Sequence, residues 1–277
     1  MLRLKENELK INKFGQRLLT VVRCPLTLKI NDMKKTLSIL VLMVFMGLGF
    51  AAKAQNLQVM YDFGEDRQYI TTTFEMYKAD KWGGTFFFAD FYHNGKNHPH
   101  NYGMMGTYME IERALNFWQD SKLKNLSAHV EYAGGLGVIP PALGYNINNA
   151  WMFGAEYFFH SEDYRNTLTV YALYKTISHT KQNIPLQFSL VWGMQDIFNV
   201  KGLRFSGFAD FWWQENYSVK SQFTFITEPQ IWYNVGQFFN CPNFNIGGEV
   251  ELSYNFTGNN IPDKLYVIPC LGVKWDF

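Results

Sequence analysis

Residues 244–256 alternate without a break. Phe244, Ile246, Gly248, Val250, Leu252, Tyr254 and Phe256 share one parity, while Asn245, Gly247, Glu249, Glu251, Ser253 and Asn255 share the other. Successive side chains of a strand point to opposite faces, so this pattern specifies a strand with one apolar and one polar face. The same period recurs elsewhere. Leu203, Phe205, Gly207, Ala209, Phe211 and Trp213 face one way, against Arg204, Ser206, Phe208, Asp210 and Trp212. Leu186, Phe188, Leu190, Trp192 and Met194 alternate with Gln187, Ser189, Val191, Gly193 and Gln195. Leu265, Val267, Pro269, Leu271, Val273, Trp275 and Phe277 close the chain on one side. Such runs exceed the usual strand of about 5–6 residues and match the roughly 9–11 that a tilted strand needs to cross a bilayer.

Composition points the same way. Hydrophobic residues make up 47% of the 277-residue chain, and the mean hydropathy is −0.18. A bundle of membrane helices is excluded, because each span needs about 20 consecutive apolar residues. An aromatic share of 18% excludes disorder. Charged residues are also only 18%, below the roughly 25% of a soluble domain. A transmembrane β-barrel combines many aromatics, few charges and average hydropathy, because its apolar and polar residues alternate.

Alternation predicts strands at 57–63, 69–78, 83–92, 106–117, 125–133, 150–158, 166–176, 185–195, 202–213, 222–233, 244–256 and 264–276. That makes twelve, an even number as in bacterial single-chain barrels. The connection Ala79–Trp82 is short, whereas 93–105, 134–149 and 177–184 are longer and rich in Gly, Asn, His or Pro. Alternating short and long connections predict periplasmic turns and external loops. No helical period survives beyond the N-terminal segment. The expected fold is therefore all-β, a transmembrane antiparallel barrel of about 12 strands forming one domain over 55–277. A soluble β-sandwich would also alternate. Strand length, polar faces that mix ionisable and aromatic residues, and the terminal Val273, Trp275, Phe277 pattern favour the barrel.

The longest apolar run lies before that domain. Leu37 to Ala52 is apolar except for Ser38; Lys34 and Lys35 precede it and Ala52-Lys53-Ala54 ends it. A basic start, a short apolar stretch and a small-x-small site specify a secretory signal peptide over 33–54, cleaved before Gln55. Met33 then marks the expected start, and 1–32 reads as an upstream mis-start segment. Of 25 Lys/Arg and 24 Asp/Glu, ten and three lie in 1–54, leaving 15 basic and 21 acidic residues and a net charge of −6. An acidic exported chain is a poor partner for nucleic acid, since phosphate backbones demand positive charge. Cys241 and Cys270 remain, permitting one disulfide or two free thiols. No Cys/His spacing suits a metal, and no cofactor motif is present.

Three stretches carry a family resemblance: TFEMYKADKWGGTFFFADFY (Thr73–Tyr92), YMEIE (Tyr108–Glu112) and GGEVELSYNF (Gly247–Phe256). In these the chain resembles the Tsx-type nucleoside-specific channels of the Gram-negative outer membrane, most of all an uncharacterised branch of that group. The resemblance implies a monomeric twelve-strand barrel with a narrow pore for nucleosides, reaching the outer membrane through an assembly signal at Phe277. The chain departs from the family in its loops and in its length before the last strands.

If the apolar parity meets lipid, the other lines the lumen. On the first strands Phe occupies both faces and parity alone does not choose; there Thr71, Thr73, Glu75 and Tyr77 are assigned inward, followed by Phe86, Phe88, Asp90 and Tyr92, and by Tyr108, Glu110 and Glu112. His129, Glu131, Glu156, Lys175, Arg204, Asp210, Trp212, Glu228, Glu249, Glu251 and Lys274 follow. Basic side chains facing lipid at mid-membrane cost about 2–4 kcal/mol, so they belong inside or at the rims. Flat aromatic faces on which a base stacks, with carboxylates that accept hydrogen bonds, suit a small neutral amphipathic solute. The candidate solute-binding set is Glu75, Tyr77, Phe86, Phe88, Asp90, Tyr92, Glu110, Glu112, Arg204 and Asp210. Many lumen carboxylates serve structure by pairing with Arg or Lys. Trp82, Trp151, Trp192, Trp232 and Trp275 are assigned to interfacial girdles.

The rival readings are a non-transporting structural or surface-binding barrel and, more weakly, a barrel lipid-modifying enzyme. Ser127 and His129 share a wall, but no serine sits in a nucleophile motif. His93, His98 and His100 cluster in one loop, without a carboxylate or cysteine at ligand spacing. No catalytic and no metal residue is assigned.

Overall fold

The computed structural model describes residues 55–64, 67–93, 105–139, 143–216, 219–256 and 263–277. The predicted signal peptide and upstream segment, and His98 and His100, lie outside the described residues.

The strands are β1 (Gln55–Asp62), β2 (Ile70–Asp80), β3 (Gly83–His93), β4 (Met105–Leu115), β5 (Leu126–Ile139), β6 (Leu143–His160), β7 (Asn166–Ile177), β8 (Leu186–Gln195) and β9 (Leu203–Asn216), then β10 in two parts, β10a (Val219–Thr227) and β10b (Gln230–Tyr233), and β11 (Phe244–Tyr254) and β12 (Leu265–Asp276). Each pairs antiparallel with its chain neighbour, and β1 pairs with β12, so the sheet closes. At the seam Leu57 faces Trp275 and the Phe277 N–H donates to the Gln55 carbonyl at 2.9 Å. The protein is a closed twelve-strand antiparallel barrel.

Parity decides what each face meets. On β1, β11 and β12 the buried face carries Gln58, Met60, Asp62, Asn245, Glu251, Ser253, Ile268, Cys270 and Lys274. The opposite face carries Val59, Tyr61, Ile246, Val267, Leu271 and Val273, all exposed. So much apolar surface on one continuous wall is a lipid-facing belt, not a soluble exterior. Near the rim that holds both termini it ends in exposed Trp82, Phe117, Phe198, Phe238, Phe239, Trp275 and Phe277. Aromatic rings favour the level where hydrocarbon meets headgroups. On the outer face there, Arg113 and Asp80 pair at 2.8 Å.

β10a and β10b share one register against both neighbours, with Thr227 opposite Ala209 and Gln230 opposite Ser206. They are one wall strand interrupted at Glu228-Pro229, because proline has no N–H to donate to the ladder. Gly207 lies beside the interruption with φ +153°, where a Cβ would fall 2.5 Å from the Glu228 carbonyl oxygen and 2.8 Å from the Trp192 ring. Only glycine fits that position.

Three expectations need correction. The predicted 134–149 loop is mostly a hairpin in which β5 and β6 stay paired out to Ile139 and Leu143. Opposite Gly134 the register slips, with Ala133 facing Ala150 but Gly135 facing Ile147. The extra residue in β6 is a bulge that reverses its parity, so alternation fails there although pairing continues. Short and long connections do not divide by rim either: at the rim where β1 begins and β12 ends, 81–82 and 161–165 are short, whereas 116–125 and 234–243 are long. Trp232 is no girdle residue. It points inward, fully buried, and its indole N–H donates to Gln230 at 2.9 Å, because its parity on β10b is that of the lumen face.

Gly207→Ala should lower unfolding stability by about 1–3 kcal/mol, the cost of forcing a side chain into such a backbone region. Urea titration of the protein in detergent micelles measures it, with Gly144→Ala at the β6 end of the hairpin, where a Cβ would make only an ordinary contact at 3.9 Å with the Gly137 carbonyl oxygen, as the comparison.

Candidate functional site

Register stacks the predicted residues of β2, β3 and β4 in rungs on the inner wall. Tyr77, Phe86 and Glu112 form one rung, Glu75, Phe88 and Glu110 the next, and Thr73, Asp90 and Tyr108 the third. Ring centroids stand 6.1 Å apart for Phe86 and Phe88 and 5.9 Å for Phe88 and Tyr108. Asp90 accepts hydrogen bonds from Thr73 Oγ1 at 2.6 Å and from the Tyr92 hydroxyl at 3.4 Å. Glu75 accepts from Asn56 at 2.7 Å. Rings and carboxylates thus alternate along a single wall, with a ring face beside each acceptor.

Asp210 answers this wall from β9. Its charge interacts with Glu110, Glu112, Glu131 and Lys175, and also reaches Tyr108. Lys175 donates to Gln187, and its ammonium lies 4.0 Å from the centroid of Trp212. An eight-strand barrel is just filled by its side chains, and barrels of about 16–18 strands hold an open channel; twelve strands fall between. Arg204 stands apart from the other predicted residues. Near the rim with the termini, it donates to Asp276 at 2.9 Å and to Asn245 at 2.8 Å.

His129 occupies the wall beside the first rung, fully buried. Nδ1 lies 2.7 Å from Glu156, and Nε2 lies 3.3 Å from Glu131 and 4.0 Å from Glu112. Tyr171 presents its ring edge-on at 5.0 Å. Both ring nitrogens face carboxylate oxygens, the arrangement of an imidazolium that donates twice. Engaged in this way, His129 is no base for Ser127. Glu112, His129 and Glu131 place ligand atoms within 4.8 Å of one another, but an imidazolium that donates from both nitrogens has no lone pair for a metal ion and is itself the cation of the cluster.

The sequence reading did not single out Arg67. It rises from the 63–69 connection, turns into the lumen and bonds Glu251 at 2.6 Å and Asp62 at 3.3 Å. Beside it Tyr69 meets Tyr92 edge-on at 5.9 Å. Burial would drive the guanidinium to lose its charge, but the surrounding carboxylates prevail and hold its pKa above the ordinary arginine value. No sequence signal marks a loop side chain that folds inward. Cys241 and Cys270 are both free thiols.

Residues 54–277 match a family described as a domain of unknown function, DUF5020. The chain belongs to the DUF5020 family. Among curated proteins none matches its sequence. Among solved structures the barrel is similar to the NanC porin, with a TM-score of 0.51 and 8% identity over 81% of this chain and 100% of that one. A BenF-like porin from Pseudomonas fluorescens Pf-5 aligns with a TM-score of 0.39 at 10% identity, over 78% of this chain and 58% of its own. At 8% identity the likeness to NanC is one of fold alone.

His129→Leu should destabilise this DUF5020 barrel by about 3 kcal/mol or more, since it leaves three carboxylates facing one another without their shared cation. Urea midpoints in micelles test this, with His93→Leu as the control for loss of a half-exposed ring. An unchanged midpoint for His129→Leu would show that the carboxylates do not depend on the imidazole.

Proposed function

We propose that the protein is an exported outer-membrane channel for passive diffusion of small amphipathic solutes, with nucleosides the foremost candidates. The observation that carries this reading is the ladder of Phe86, Phe88 and Tyr108 beside Glu75, Asp90 and Glu110 on one inner wall. A nucleoside has a flat base and a ring of hydroxyls. The first stacks on aromatic faces for about 1–3 kcal/mol per base, and the second donates to carboxylates. The resemblance to Tsx-type channels and the fold shared with a porin support the same reading. Export would proceed through cleavage before Gln55, leaving residues 55–277 as a monomeric barrel. Phe277, already at the seam, would serve as the signal read by the assembly machinery.

Planar-bilayer conductance with nucleosides, sugars and amino acids tests the proposal. Nucleosides should block the current at micromolar to millimolar concentration, as about −4 to −8 kcal/mol of binding gives. The double change Phe86→Ala and Phe88→Ala should weaken the block roughly five- to a hundredfold, by loss of about 1–3 kcal/mol of stacking. Asp90→Asn should alter the block with the barrel intact, and lipid-facing Leu252→Ala should leave it unchanged. Conductance without block by any nucleoside would point to a general porin. A folded chain without conductance would favour a non-transporting barrel, the reading that the Arg67–Glu251 bridge supports by tying a loop to the inner wall.

A further inference from the structure

Close to the rim with the termini, the lumen holds a cleft of about 210 Å³ between β7, β8, β9, β10b and β12. Thr167, Gln195, Arg204, Ser206, Trp232 and Lys274 line it, and Arg165 stands at its edge. Register places Lys274 beside Asn245 and Gln58, on the parity that faces away from lipid.

Lys274 is 8% exposed. Its ammonium lies 5.1 Å from the centroid of the Trp232 ring, and no hydrogen bond or ion pair to it is found among the described residues. The neighbouring carboxylates already have donors. Glu75 accepts from Asn56 at 2.7 Å. Asp276 accepts from Arg204 at 2.9 Å and from Asn245 at 3.1 Å. Glu249 accepts from Gln230 at 2.8 Å. The Trp232 N–H is spent on Gln230, so the ring offers the ammonium only its face. Ser206 and Gln195 add a hydroxyl and an amide to the same wall.

Gln58, opposite Lys274, has a buried Oε1 without a partner, but the ammonium itself lines the cleft, where an aromatic face makes up only in part for lost water. The three ammonium protons need acceptors, and the open side of Lys274 is the cleft. Arg204 supplies a second cation with a planar fork suited to oxygen pairs. A neutral solute could accept hydrogen bonds from the ammonium but would not neutralise it, an anion would do both, and a cation would be repelled.

We propose that this cleft is a binding site for a small oxyanion, carboxylate or phosphate, held between Lys274 and Arg204. The ligand is a soluble ion and not a lipid headgroup, because the cleft opens on the lumen face of the wall. The site does not depend on the channel reading, since it would hold an anion in a closed barrel as well.

The test is titration of the full protein, extracted in phospholipid-free detergent micelles, with inorganic phosphate and separately with lactate. Calorimetry should show saturable binding of at least one of them at millimolar concentration. Lys274→Met keeps the length of the side chain and should weaken that binding at least tenfold; Lys274→Arg should stay within about threefold of the parent. Lys201→Gln, an exposed lysine in the 196–202 connection, should have no effect. Reductive ¹³C-methylation of the unaltered protein gives a second readout that does not require Lys274→Met to fold. The dimethyl signal missing from Lys274→Arg should shift with the anion before those of exposed lysines. No saturable binding of either anion, Lys274→Met binding like the parent, or a Lys274 signal that stays still while exposed lysines shift would each overturn the site. Conductance is read separately, so a barrel that conducts without binding anions refutes this inference alone, and one that binds anions without conducting refutes the channel alone.

Discussion

In a bilayer an unpaired backbone N–H or C=O costs several kcal/mol, so a sheet there has no tolerance for an edge. Pairing of β1 with β12 meets that demand, from Asn56 against Asp276 to Asp62 against Cys270. Closure then fixes everything else. Once the register is continuous around the ring, every second side chain is committed to lipid and the rest share an interior that twelve strands leave narrow. The two interruptions both preserve the ring. Pro229 forfeits one N–H, yet its carbonyl still accepts from Val250 at 3.1 Å. The bulge in β6 adds a residue but leaves the hairpin paired on both sides.

The second consequence is electrostatic. Charges excluded from lipid accumulate inside, where they must find one another. They do so at three levels. Towards the rim opposite the termini, Arg67 links Asp62 and Glu251. Lower down, His129 answers Glu131 and Glu156 on its own wall, and Lys175 sits among Glu110, Glu131 and Asp210. At the rim with the termini, Arg204 takes Asp276 and leaves Lys274 over Trp232. Cations are fewer than carboxylates in this domain, and Arg67 and His129 each serve more than one acid, whereas Arg204 serves Asp276 alone among the described residues.

The aromatic residues divide by the same parity. Outside, they end the apolar belt at the level of headgroups. Inside, Phe86, Phe88 and Tyr108 line one wall with acceptors between them, whereas Trp212 and Trp232 lie under ammonium groups. A ring covered by a cation is engaged, and a ring beside a carboxylate is open to a flat solute. That difference separates the ladder proposed for a flat neutral solute from the cleft proposed for an anion.

Period-2 alternation, together with strand length and composition, determined the barrel and the strand number, because the pleat ties parity to face whatever the surroundings. Glu110 and Glu112 follow from that parity, whereas Phe86, Phe88 and Asp90 lie on a strand with Phe on both faces, and it is the register of the closed wall that sets them inward. Alternation could not follow β6 through its bulge, where the parity reverses, and it stopped at 133 and 150. Residue type points Trp232 to the membrane interface, whereas its parity buries it in the lumen. Other features depend on distances across the barrel, which no local pattern encodes. Arg67 turns inward from a connection, His129 meets carboxylates from neighbouring strands, and Lys274 is without an acid because Asn245 and Arg204 reach Asp276 first. Sequence fixes which side of the wall a residue occupies; only the closed ring decides which residues meet across it.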